Sequence, residues 1–157
     1  MRFRRAVEAT PELRTHYRPG LQAIRKVDRA RMDCSNTRRL AGSVDVEGAL
    51  KPSEPNAALW DYVVGLSAQG GTDEAVWVEV HPASSQHVDE VLQKLDWLLR
   101  WLKERKAPVR NLRRRFCWVA TGKVAFTPAS PQGKRIAERG LQFPSKFLWL
   151  DMCRESA

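Results

Sequence analysis

Residues 59–81, LWDYVVGLSAQGGTDEAVWVEVH, decide the fold of this chain. Two runs within them, 59–66 and 75–80, are dense in β-branched and aromatic residues, which fit a pleated, packed surface. Residues 68–72 (AQGGT) put paired glycines between them. Two strand-like runs joined by a short Gly-rich turn predict a β-hairpin. Immediately downstream, His81-Pro82-Ala83 ends the second run, and Ser84 or Ser85 can cap the next helix. Residues 85–106 carry Val88, Val91, Leu92, Leu95, Leu98, Leu99 and Leu102 at a 3.6-residue period, with Trp97 and Trp101 one turn apart. That spacing predicts a long amphipathic helix, stopped by Pro108. Residues 116–120 (FCWVA) then read as a buried strand. A strand, a helix and another strand in succession form a crossover, so this strand is expected to run parallel to residues 75–80.

Upstream, residues 43–50 alternate, with Val44, Val46 and Gly48 on one face and Asp45, Glu47 and Ala49 on the other, which predicts a half-buried strand. Residues 51–56, with two prolines, form a loop. Residues 11–18 read as a short helix with Thr10 as N-cap and Pro11 in the first turn. Residues 20–32 read as a helix with Leu21, Ile24, Val27 and Met32 near one stripe. Downstream, Pro131 opens a helix over 131–139 that Gly140 closes, and residues 145–150 predict a last strand. The expected class is α/β, a mixed sheet flanked by helices, in one domain spanning residues 1–157.

Charge is unevenly distributed. The chain has 157 residues and a net charge of +9, but residues 1–40 carry +7, residues 41–98 carry −8 and residues 99–157 carry +10. A basic surplus favours a polyanionic partner such as nucleic acid. No apolar run reaches the ~18 residues that a membrane span needs. Met1-Arg2-Phe3-Arg4-Arg5 leads into no apolar stretch, so no secretory signal is expected. Cys34, Cys117 and Cys153 form no metal-binding pair and no disulfide framework. A cytoplasmic protein is expected, with no membrane partner.

The acidic middle holds the chemistry. Asp61 opens one strand of the hairpin, and Glu79 and His81 close the other. Residues i and i+2 of a strand share a face, so Glu79 and His81 project together. The hairpin sets Asp61 beside Glu79. Two converging carboxylates suit a hard divalent cation such as Mg²⁺ or Mn²⁺.

This arrangement resembles the PD-(D/E)XK nuclease superfamily, whose pattern is an acidic residue opening one strand and D/E-x-K ending the next. The matching residues are Asp61, 17 intervening residues, then Glu79-Val80-His81. The resemblance implies a restriction endonuclease-like α-β-β-β-α-β core over about residues 11–120, here with an extra C-terminal helix and strand. It implies metal ligation by Asp61 and Glu79 and metal-dependent phosphodiester hydrolysis of nucleic acid, DNA rather than RNA, with a homodimer as one possible assembly. The sequence departs from the pattern twice: Trp60 stands where the family has proline, and His81 where it has lysine. In such variants a lysine from the next helix takes over, and Lys94 occupies that place, beside Gln93. His81 then has a positioning or acid role. A further acidic ligand would come from Glu8 or Glu12, or from Asp45 or Glu47. Arg113, Arg114, Arg115, Lys103 and Lys106, with Arg105 and Arg110, are the expected phosphate contacts. The alternative reading is a nuclease-like fold that has lost catalysis and binds nucleic acid or protein. His16 and His87 read as surface residues and Cys117 as inert core.

Overall fold

The computed structural model of the protein describes residues 1–152; Cys153 lies outside them. The hairpin forms as the sequence predicts. β4 (Tyr62–Leu66) and β5 (Glu74–His81) pair antiparallel, with Tyr62 opposite Val78 and Leu66 opposite Glu74. β3 (Leu40–Asp45) pairs antiparallel with the outer side of β4. β1 (Tyr17–Arg18) adds at the edge of β3. α4 (Val88–Glu104) crosses back over the sheet, and β6 (Arg113–Ala120) returns parallel to β5. The sheet is therefore mixed, in the order β1-β3-β4-β5-β6.

β4 and β5 are covered on both faces, which explains their near-continuous apolar runs. Val63, Ala75, Trp77, Phe116 and Trp118 face one core with Val88, Val91, Leu95 and Leu98 of α4. Tyr62, Val64, Val76, Val78, Cys117 and Val119 face a second core with Ile24, Met32 and Leu148. The strand period of two thus puts Asp61, Glu79 and His81 in phase with the face that α4 covers.

Outside this frame the sequence-based expectations need correction. Residues 11–18 are not a helix. The helix lies earlier, at α1 (Phe3–Glu8), and the Thr10 hydroxyl donates back to the Ala6 carbonyl at 2.8 Å instead of capping forward. α1 gains its N-terminal acceptor from far along the chain: the Phe3 N–H donates to Asp73 Oδ2 at 2.9 Å. Residues 20–32 keep only one helical turn, α2 (Lys26–Arg29). Met32 and Asp33 leave it to form β2 (Met32–Asp33), which pairs parallel with β7 (Leu148–Trp149) in a separate two-stranded sheet. Of the expected last strand, Ser145 forms a parallel bridge to Val119 of β6, while Leu148 and Trp149 pair with β2 instead of the main sheet. The strand expected over 43–50 ends at Asp45, whose side chain accepts the Gly48 N–H at 3.0 Å and caps α3 (Val46–Leu50). Downstream, α5 (Pro131–Glu138) forms as expected, capped by Ser130 and followed by Gly140 at φ +74°. Among the described residues no helix is long and apolar enough to cross a membrane.

Candidate functional site

The site lies where β4 begins and β5 ends. Trp60 anchors the approach: it is fully buried and meets Phe116 edge-on, ring centroids 6.3 Å apart. That leaves Asp61 one residue before the β4 ladder, level with Glu79. The two residues are cross-linked reciprocally. The Asp61 N–H donates to Glu79 Oε1 at 3.1 Å, and the Val80 N–H donates to Asp61 Oδ2 at 2.9 Å.

Glu79 is 0 % exposed. A buried carboxylate is costly unless paired, and its partner comes from α4. Lys94 Nζ donates to Glu79 Oε2 at 2.6 Å. Glu90 lies one helical turn before Lys94, on the same side of α4, and its Oε2 is 2.9 Å from His81 Nε2. His81 Nδ1 stands 3.5 Å from Glu79 Oε2. One helix edge thus reaches down to both Glu79 and His81.

The electrostatics follow from burial and crowding. Burial first, and the neighbouring Glu79 second, push the Asp61 carboxyl from 3.8 up to about 8, against the pull of the Val80 N–H and the Lys94 charge. A hydrogen bond between Asp61 and Glu47 contributes in the same direction as burial. Burial disfavours the charged form of Lys94, but Glu79 more than offsets it and raises the ammonium above its ordinary value. The hydrogen bond to Glu79 raises His81, burial opposes this, and Glu90 adds to the rise.

Asp61, Glu79, His81 and Lys94 are thus brought together. The acidic neighbour is Glu47, carried by α3, whose first turn is tied to the site by the Val46 N–H donating to the Asp61 carbonyl at 2.9 Å. Asp45 is committed to its cap, Glu8 pairs with Arg4, and Glu12 is half-buried away from the strand end that holds Asp61. Glu47 and Lys94 also share a shallow cleft with Lys51, Ala58 and Leu59.

The basic residues lie elsewhere. Glu79 is level with Trp118, whereas Arg113 is level with Glu74 at the other end of the parallel pair. Five residues of strand put Arg113 about 16 Å from the carboxylate rung. Arg113 and Arg114 are exposed there. Arg115 is turned inward, bonded to Glu74 at 2.9 Å and to the Leu150 carbonyl. Lys103 and Lys106 are exposed at the far end of α4, Lys103 being about 14 Å along the axis from Lys94. The sequence brought these cations to no common surface with Asp61; the parallel register sends them to the opposite edge.

Sequence reasoning read His87 as a surface residue and assigned no role to Glu90. His87 is half-buried, its ring centroid 5.2 Å from that of His81. The available signal was positional: a histidine ending a strand, with a second histidine and an acid opening the next helix.

Fold and site together define a mixed α/β protein with an ion-paired carboxylate cluster at one end of its sheet. Compared with known proteins, the chain matches no family model, no curated protein and no solved structure.

Proposed function

We propose that the protein is a divalent-metal-dependent phosphodiesterase of the PD-(D/E)XK type acting on nucleic acid. The observation that carries the proposal is the convergence of Asp61, Glu79 and Lys94 at one strand end. Half-buried Asp61 stands beside the fully buried Glu79, and the crowding of two carboxyls favours a further positive charge between them. A hard cation meets that need with oxygen ligands alone. The residues present therefore fit Mg²⁺ or Mn²⁺, held by Asp61 and Glu79. Support also comes from topology: an antiparallel meander of β3, β4 and β5, the α4 crossover, and β6 parallel to β5 follow the α-β-β-β-α-β order of that superfamily.

A metal bound there polarises a phosphoryl oxygen and lowers the pKa of coordinated water. Asp61 and Glu79 fix its position from adjacent strands. Asp61 must lose its proton for this, so metal affinity rises with pH toward 8. Lys94, charged and already oriented by Glu79, stands on the same side and offsets charge developing on the phosphate. His81 is held between Glu79 and Glu90 with its pKa raised, so it is a poor base at neutral pH and suits proton donation or positioning. Lys51 and Lys94 line the same cleft as Glu47 and are the candidates for phosphate contact there.

The test is cleavage of plasmid and oligonucleotide by the purified chain with Mg²⁺ or Mn²⁺. Asp61→Ala and Glu79→Ala are expected to abolish it. Cleavage persisting in both variants would remove the assignment. A second reading is favoured by one observation: both Glu79 oxygens are already satisfied by the protein, from Asp61 N–H and Lys94 Nζ. In that reading the ion pair replaces the metal and the fold binds nucleic acid without cutting it. Salt-dependent binding with no metal affinity at Asp61 and Glu79 would select it.

A further inference from the structure

Ten residues at the β5–α4 junction build a second constellation. His81 is the last residue of β5, His87 stands at the N-cap of α4, and Glu90 lies in its first turn. One ring nitrogen of each histidine and one carboxylate oxygen of Glu90 all lie within 4.8 Å of one another. We infer that His81, His87 and Glu90 form a binding site for a borderline divalent cation of the Zn²⁺ class, separate from the hard-cation pair Asp61 and Glu79.

The donor set decides the class of ion. Two imidazoles and one carboxylate suit Zn²⁺, Co²⁺ or Ni²⁺ and are poor ligands for Mg²⁺, which wants oxygen alone. Ligands at ~2.0–2.2 Å from a tetrahedral ion stand about 3.4 Å apart. His81 Nε2 and Glu90 Oε2 are already 2.9 Å apart, the three ligand atoms all lie within 4.8 Å of one another, and the Glu90 side chain is 58 % exposed.

Both rings are held by outer contacts of the kind that orient metal-bound histidines. His81 has Glu79 Oε2 3.5 Å from Nδ1, which leaves Nε2 turned toward Glu90. His87 has Ser84 Oγ 2.5 Å from Nδ1. Three protein ligands leave at least one position for water. The ligands come from a single short segment, so ordering them closes only a short loop. This inference does not depend on the nuclease reading, because it uses neither Asp61 as a ligand nor any reaction at phosphate.

Co²⁺ is the probe, titrated into the full chain and followed by its visible d–d absorption. One equivalent is expected to bind through nitrogen and oxygen, to persist in excess Mg²⁺, and to be displaced by one equivalent of Zn²⁺. His87→Ala is expected to weaken binding at least about tenfold, with its far-ultraviolet circular dichroism unchanged. Glu90→Gln repeats the measurement should His87→Ala not fold. Asp61→Asn is expected to bind Co²⁺ as the native chain does while losing Mg²⁺-dependent cleavage, which separates failure of one site from failure of the other. The inference is overturned by any of four results: no stoichiometric binding, binding indifferent to His87→Ala and Glu90→Gln, thiolate charge-transfer bands that point to cysteine ligation, or loss of Co²⁺ binding in Asp61→Asn.

Discussion

Replacing Asp61 by Asn removes a half-buried carboxyl but keeps its shape and an oxygen to accept the Val80 N–H. In the folded protein Asp61 holds its proton until about pH 8, whereas its ordinary value is 3.8. The folded state therefore binds more protons than the unfolded one between those limits. Stability falls as pH rises wherever the folded state holds the extra proton. The Asp61 contribution is complete below about pH 4, declines through the range from 4 to 8, and is fully lost above 8. At about 1.4 kcal/mol per pH unit, the ceiling on that loss is about 6 kcal/mol. Entry of water and a closer approach of Lys94 as Asp61 ionises return part of this, so we expect about 2–3 kcal/mol.

The assay is urea denaturation of native and Asp61→Asn protein in chelator at intervals from pH 5 to pH 9. The variant is expected to be the more stable of the two at pH 8 and above, with the gap opening steadily from pH 5. Subtracting one profile from the other cancels the groups that titrate independently of Asp61. Mg²⁺ at pH 8 is expected to stabilise the native chain by binding only the folded state, and to leave the variant unmoved. Parallel pH profiles would refute the reasoning, since they would mean that Asp61 ionises in the folded protein as freely as in water.

Other outcomes rest on the same kinds of contact. Glu79→Gln leaves the Lys94 ammonium unpaired in a site that burial already disfavours, and about 3 kcal/mol of stability is expected to be lost; the double variant with Lys94→Met should recover part of it in a double-mutant cycle. Asp73→Asn keeps one accepting oxygen but sets an NH2 group against the other of the Phe3 and Ala68 N–H groups, and it gives up the ion pair with Arg2. Burial raises the Asp73 carboxyl, but those bonds outweigh it and hold the group below 3.8. The stability difference between native and variant, measured by denaturation, should therefore be present at neutral pH and shrink as pH falls below about 4. Gly65→Ala drives a methyl group into the Phe3 ring, which lies directly over β4. A cost of about 1–3 kcal/mol in thermal unfolding is expected as α1 is pushed outward.

The central frame was legible because its signals are local. β4, β5 and α4 write their periods, two and 3.6, into runs of side chains that need no knowledge of the rest of the chain. The 20–32 segment misleads by the same logic: its apolar stripe is real, but Ile24 and Met32 serve a second core on the far face of the sheet, and Met32 serves it as strand. The 43–50 alternation misleads because Asp45 and Gly48 form a cap whose geometry outweighs the period after residue 45. The missed α1 carries Phe3, Ala6 and Val7 at helical spacing, yet its N-terminal acceptor, Asp73, lies 70 residues away.

At the site the division runs between types of residue and their partners. Sequence alone put Glu79 and His81 on one face, by the two-residue period, and brought Asp61 within reach of Glu79 across the hairpin; the register that sets them level came from the structure. The resemblance to the PD-(D/E)XK pattern nominated Lys94 on the following helix. Only tertiary structure decided that Lys94 reaches Glu79 and Glu90 reaches His81, because the rotation of α4 on the sheet is set by core packing of Leu95 and Leu98. Tertiary structure likewise brought Glu47 to Asp61 through the turn into α3, and drew His87 against His81. It also sent Arg113 and Arg114 to the opposite edge, because a parallel crossover aligns the start of β6 with the start of β5. The charge pattern along the chain is a property of the sequence; which charges meet is a property of register and packing.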